Sequence, residues 1–206
     1  MHTEQTFRLL MIVGALVVFP LLAYHRLKSR TGEPLDRRQE GLFILLTLRP
    51  IGLCTIAGLF TYLASPQTMA WASAPFPVWL RWTGIAMQAL SGILLIWTVR
   101  TLGPNLTDTV VTRHNHTLVT TGPYRWVRHP FYGSVTLLLL ANGLAAANWF
   151  LLAGGGAVVA LLVMRTDAEE QRLVARFGDG YRDYVEHTGR FVPGLTTHAS
   201  MRQSNV

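Results

Sequence analysis

Apolar residues in this chain fall into blocks of membrane-spanning length, separated by short basic segments. A spanning helix needs roughly 20 mainly apolar residues, within a range of about 17–25. Residues 7–24 and 42–63 meet that length, the second with Arg49-Pro50 near its start. Residues 78–99 meet it too, with Arg81 near the beginning. The stretch 131–164 is too long for one crossing and contains Asn142, Asn148 and Trp149. We read it as two closely packed helices with a turn near Asn148, each a little short for the bilayer core. The pattern predicts an all-α integral membrane protein of about five transmembrane helices.

The character changes after Met164. Residues 165–177 are polar with helical spacing, and Gly178-Asp179-Gly180 breaks the pattern before a short helix over 181–187. Leu173, Phe177, Tyr181, Tyr184 and Val185 share a face that would lie on the membrane surface or against the bundle. Between the second and third blocks, 65–77 holds Pro66, Pro75 and Pro77, with Trp71 and the following Trp79 suited to the interface, and reads as a short external connection. The run Gly154-Gly155-Gly156 allows close helix packing. This divides the chain into three N-terminal spans (1–100), a segment with the hairpin and C-terminal helices (101–193), and a frayed tail (194–206).

Composition sharpens the picture. Half the residues are hydrophobic and only 14% are charged, against about 25% in an ordinary soluble domain. The net charge of +7 does not form the basic polar surface that nucleic-acid binding needs. It follows membrane topology instead. Segment 26–38 holds five Lys/Arg, 100–128 holds four, and the chain from Arg165 onward holds six, whereas 65–77 and the turn at Asn148 hold none. The positive-inside rule then places the three basic segments in the cytoplasm, with the N-terminus outside and the C-terminus inside. Block 7–24 reads as a retained span, because basic residues follow it without a small-residue cleavage site. Cys54 is the only cysteine, which excludes an internal disulfide and any multi-cysteine metal site.

Candidate chemistry lies in two segments beside membrane helices, where ionisable residues are a functional hypothesis by default. The first is HNHTLVTTGPYRWVRHPFY, from His114 to Tyr132. Gly122-Pro123 marks a turn, and Pro130 suits the first turn of a helix with His129 near its cap. His116, Tyr124, His129 and Tyr132 could then line one cytosolic cavity. A metal is not expected, since no third ligand has convincing spacing. The second segment is RTDAEE, from Arg165 to Glu170. Arg165 and Glu169 share a helix face. They suit either a structural ion pair or the recognition of a zwitterion beside an acidic group.

These two segments, extended through RTDAEEQRLVARFGDGYRDYVEHTGRFVP, resemble the isoprenylcysteine carboxyl methyltransferase family and, more broadly, membrane phospholipid methyltransferases. The detailed match covers roughly residues 100–193. The resemblance implies S-adenosylmethionine as cofactor, held in a cytosol-facing pocket. On it, His116, Thr117, Leu118 and Val119 match a first cofactor stretch and Tyr124 a further contact. His129, Pro130, Phe131 and Tyr132 match a second stretch, and Glu169 the cofactor-binding acid. Arg165 matches the substrate-binding arginine. Thr109 stands where relatives often carry a polar cofactor contact. The implied acceptor is a lipophilic small molecule or lipid-linked group that enters from the bilayer, with a carboxylate as the methyl-accepting group. The alternatives are an NADPH-dependent sterol or fatty-chain reductase, which shares an RHP-type motif, and a non-enzymatic transport or scaffold protein. The latter would place polar residues at the midplane of the spans.

Overall fold

The computed structural model describes residues 2–28, 42–103 and 117–194. Six α-helices carry them: α1 (His2–Lys28), α2 (Leu42–Ala64), α3 (Val78–Leu102), α4 (Pro130–Ala146), α5 (Trp149–Phe177) and α6 (Asp179–His187). Two 3-10 turns, Pro66–Ala72 and Gly122–Arg125, occupy connections. Helices α1, α2, α3 and α5 are long and apolar enough to cross a membrane. Helix α4 is apolar but has 17 residues, about 25 Å at 1.5 Å per residue. The protein is an all-helical membrane protein, and the expected hairpin is α4–α5.

The apolar exterior follows from the solvent it meets. Leu16, Leu46 and Ile93 are each at least 64% exposed, which is costly in water and neutral against lipid tails. Between helices the hydrophobic effect then supplies little, so close packing and interhelical hydrogen bonds must hold the bundle. Helix α3 lies along α4 in this way. A Cβ at Gly84 would stand 2.6 Å from the Ala145 nitrogen, so only glycine permits the approach. Along the same contact, Gln88 Nε2 donates to Asn142 Oδ1 at 3.1 Å. Ser91 Oγ donates to the Ser134 carbonyl at 2.8 Å.

Asn148 makes the hairpin turn. Its side-chain oxygen accepts from the Leu151 N–H at 3.1 Å, capping α5. Its amide reaches the Met69 carbonyl at 3.4 Å, and Ala74 N–H bonds the Ala147 carbonyl at 2.8 Å. The turn is thereby tied to the 66–72 connection. Around it, Met11, Leu59, Tyr62, Leu63, Met69 and Leu151 form a buried cluster. Arg81 closes this end of the bundle. Its Nε donates to the Ala145 carbonyl at 2.9 Å, its Nη1 to Glu4 Oε2 at 2.7 Å, and its guanidinium lies 4.2 Å from the Phe7 ring centre. Tyr62 donates to the other Glu4 oxygen at 2.5 Å.

The backbone does not change where the sequence changes character at Met164. Helix α5 continues unbroken for 29 residues, about 43 Å, against a hydrocarbon core of about 30 Å. Its polar last turns extend past the apolar block. Gly178, at φ 56, stops it. The left-handed conformation favours glycine, and α6 turns back from that point.

Candidate active site

The end of the bundle opposite the Asn148 turn gathers the start of α4, the extension of α5, α6 and the strand-like segment after it. Pro130 opens α4, where its missing N–H would have had no partner in any case. His129 is the cap residue, in a conformation that is neither helical nor extended. The backbone N–H groups of Arg128 and His129 therefore point away from α4. They bond the Gly189 and Arg190 carbonyls at 2.8 and 3.1 Å. This pins residues 188–191 across the helix start, with Val127 and Gly189 forming an isolated bridge.

Glu170 sits at the centre, with 6% of its side chain exposed. Its Oε1 accepts from Arg128 Nε at 2.9 Å and lies 3.0 Å from His129 Nε2. An ionised carboxylate only accepts, so this contact assigns a proton to Nε2. Arg190 Nε stands 3.4 Å from the same oxygen, while its Nη2 pairs with Asp167. Arg128 also donates to the Val185 carbonyl at 3.1 Å and to that of Thr188. One buried carboxylate thus holds α4, α5 and the segment after α6 together. Removing one member of such a buried pair costs about 3–5 kcal/mol, because the other charge is stranded.

The neighbouring acid has a different role. Tyr132 donates to Glu169 Oε2 at 2.7 Å. The Tyr132 ring stacks on that of His129, 5.4 Å apart and within 2° of parallel. Phe191 lies against His129 at 5.7 Å. Tyr184 donates to the Tyr124 carbonyl at 2.6 Å, joining α6 to the 122–125 turn. Tyr181 is 1% exposed, and its hydroxyl has no hydrogen-bond partner among the described residues. Burial pushes the phenols of Tyr124, Tyr181 and Tyr184 above the ordinary tyrosine range. The charge of Glu169 raises Tyr124 further, and that of Glu170 raises Tyr181 further. All three remain protonated donors at neutral pH.

Of the residues singled out in the sequence, the structure brings His129, Tyr132 and Glu169 into one network, with Tyr124 beside it. Pro130 is buried and Phe131 half-buried at the start of α4, the Phe131 ring 6.2 Å from that of Tyr132. Thr117 is exposed, and Leu118 and Val119 half-buried, in the stretch leading to the turn. Arg165 lies half-buried on α5, one turn before Glu169. His116 and Thr109 lie outside the described residues. The sequence patterns did not single out Arg128, Glu170, Arg190 or Phe191, and they marked Tyr181 only as part of an apolar helix face. All of them stand inside the quoted motifs. The doubled acid in RTDAEE was the available signal for Glu170, since consecutive helical residues point about 100° apart and serve different partners.

Comparison with known proteins fits this geometry. Residues 84–175 match the model of the isoprenylcysteine carboxyl methyltransferase (ICMT) family, and the resemblance drawn from the motifs holds over that region. The human protein-S-isoprenylcysteine O-methyltransferase is 30% identical over 148 residues, 68% of this chain and 50% of that protein. A bacterial relative, the cobalt-zinc-cadmium resistance protein CzcN of Cupriavidus metallidurans, is 31% identical over 103 residues, 46% of this chain and 48% of that one. Among solved structures, the eukaryotic intramembrane Ras methyltransferase ICMT superposes with a TM-score of 0.51 at 23% identity. That alignment covers 72% of this chain and 52% of the other, which shows a shared fold. The chain spans about half the length of the curated relatives it matches.

Proposed function

We propose that this chain, matched over residues 84–175 to the isoprenylcysteine carboxyl methyltransferase family, is a membrane methyltransferase. It uses S-adenosylmethionine and acts on a lipophilic acceptor, most simply a carboxylate. The observation that carries the proposal is the meeting of two motif halves far apart in sequence. Tyr132 bonds Glu169 at 2.7 Å while His129 contacts Glu170 at 3.0 Å. In this reading the chain crosses the bilayer five times, with the N-terminus outside and the site at the cytoplasmic face. The basic segments flanking the site support that orientation.

The residues present fit a zwitterionic sulfonium cofactor. Glu169 offers a carboxylate to an ammonium group, the paired faces of His129 and Tyr132 offer a flat wall, and the orphaned Tyr181 hydroxyl offers a buried donor. His116, Thr117, Leu118, Val119, Tyr124, Pro130 and Phe131 would complete the enclosure. The cofactor supplies an electrophilic methyl group when bound. The chain's task is then orientation. Arg165 holds an acidic group of the acceptor with up to two hydrogen bonds. A carboxylate is already ionised at neutral pH, so the site needs no general base. Well-oriented reactants lower a barrier by about 7–11 kcal/mol, which is the contribution asked of this geometry.

Calorimetric titration of the detergent-purified protein with S-adenosylmethionine, and in parallel with NADPH, tests the reading. Saturable binding of the first is expected. Glu169→Ala should weaken it by about ten- to a hundredfold, the scale of a lost charge-assisted hydrogen bond. Binding of NADPH alone would replace the methyltransferase with a reductase.

A further inference from the structure

The methyltransferase reading gives Arg190 no task. It lies in the segment after α6, whose main chain is tied to the start of α4 only as far as the Gly189 and Arg190 carbonyls. Among the described residues, no backbone hydrogen bond holds 191–194. Side-chain contacts hold Phe191 instead. Its ring lies 5.7 Å from that of His129. The Arg190 guanidinium stands 5.9 Å from the centre of the same ring, at the outer limit of a cation–π contact. Phe191 also has somewhere else to go. It lines a cavity of about 440 Å³ together with Leu94, Trp97, Trp126 and Pro130, and His129 does not reach that wall. The ring is a partition, with open space on one side and the buried His129 on the other.

Charge shows what keeps the partition in place. Glu170 Oε1 already meets Arg128 Nε at 2.9 Å and His129 Nε2 at 3.0 Å. Arg190 Nε, at 3.4 Å, is a third donor group around that one oxygen. One carboxylate does not balance two guanidinium groups. The second negative charge is Asp167, which pairs with Arg190 Nη2. Asp167 lies three residues before Glu170, on the same face of α5. Its side chain is 70% exposed, against 20% for Arg190. An ion pair so open to water adds little to global stability and is screened by salt. Its effect falls on the segment that it fastens.

We propose that Arg190 is a positioning residue. With Asp167 it latches residues 188–191 onto α5, which keeps Phe191 on His129 and the His129–Tyr132 pair shut off from the cavity. The latch retains the cofactor against escape; that part rests on the methyltransferase reading, and the latch itself does not. Hydrogen exchange of the full chain in phospholipid nanodiscs, without cofactor, tests it, because the Arg128 and His129 amides bond the latched segment. Asp167→Asn and Arg190→Gln should each speed exchange of those two amides about two- to fivefold, the scale of an exposed ion pair. The melting temperature of Asp167→Asn should equal the parent's. Arg190→Lys, which keeps the charge, should fall between Arg190→Gln and the parent. Salt at about 1 M, where the Debye length is about 3 Å, should speed the parent's exchange likewise and leave Asp167→Asn as it is. Dissociation of S-adenosylmethionine, followed by chase, should quicken by a similar factor in Asp167→Asn and in Phe191→Ala. If the parent binds no S-adenosylmethionine, the methyltransferase reading falls, and the exchange rates still decide the latch. Parent-like exchange in Asp167→Asn at low salt, the same salt dependence in both proteins, or faster exchange spread over every helix would each overturn the proposal. Faster exchange with unchanged cofactor dissociation would overturn the retaining role.

Discussion

The two ends of this bundle each bury an arginine against a glutamate, and they differ in what is left over. At the Asn148 end, Arg81, Glu4 and Tyr62 use one another fully: both Glu4 oxygens accept, and Arg81 also bonds Ala145. At the other end, Arg128, Glu170 and His129 are as tightly paired, yet the buried Tyr181 hydroxyl, within reach of the Glu170 charge, has no partner among the described residues. A saturated cluster is complete without a ligand. A cluster with orphaned buried donors carries a desolvation cost of about 1–3 kcal/mol each, which a ligand can relieve. Burial and hydrogen bonds thus distinguish a saturated cluster from one that keeps an unpaired buried donor.

Breaking the contrast should start at Glu170. Glu170→Ala strands Arg128 in a buried setting and should lower unfolding free energy by about 3–5 kcal/mol. Thermal melts in detergent would record the drop, and a melting temperature equal to the parent's would deny the carboxylate its central place. Next, Arg165→Ala should cut methyl transfer about a hundredfold while cofactor affinity stays within twofold, on the scale of a lost bidentate charged contact. Loss of cofactor affinity instead would move Arg165 to the cofactor's side. At the clamp, Arg81→Met should lower stability by about 1–3 kcal/mol and leave cofactor affinity per folded molecule unchanged; a parallel fall in affinity would mean that the two ends are coupled. The smallest effect should come from Tyr181→Phe. It removes an orphaned hydroxyl, so stability should hold or rise, while calorimetry should show cofactor binding weakened about fivefold. Unchanged affinity would show that this hydroxyl is not a ligand contact.

Much of this molecule can be read from its residues, for reasons that differ by region. The apolar blocks located α1, α2, α3 and the hairpin because a bilayer demands length and composition directly. Asn148 and Gly178 marked their turns because each does a local job, a cap in one case and a left-handed φ in the other. Met164 misled only slightly. The change there is one of solvent, and a helix backbone need not break where its surroundings change. Contacts between distant residues were harder to see. Glu4 and Arg81 are 77 positions apart, and no local pattern joins them. Arg190 reaches the site only because the Arg128 and His129 amides pull residues 189–190 across the helix start. For the site itself, the resemblance singled out Glu169, whereas packing makes Glu170 the structural centre.

The unbroken course of α5 gives the site a phase as well as a place. Residues 149–164 sit in the apolar block and 165–177 carry the charged groups on the same rigid cylinder. The depth and heading of Arg165, Glu169 and Glu170 are therefore fixed by the count of residues between them and Asn148. One residue inserted in the apolar part would swing every charged group by about 100° and shift it by about 1.5 Å. Four would nearly restore the heading but displace the group by about 6 Å. In this helix, residue number acts as a ruler and a compass together, and no hinge lies between to correct an error in either.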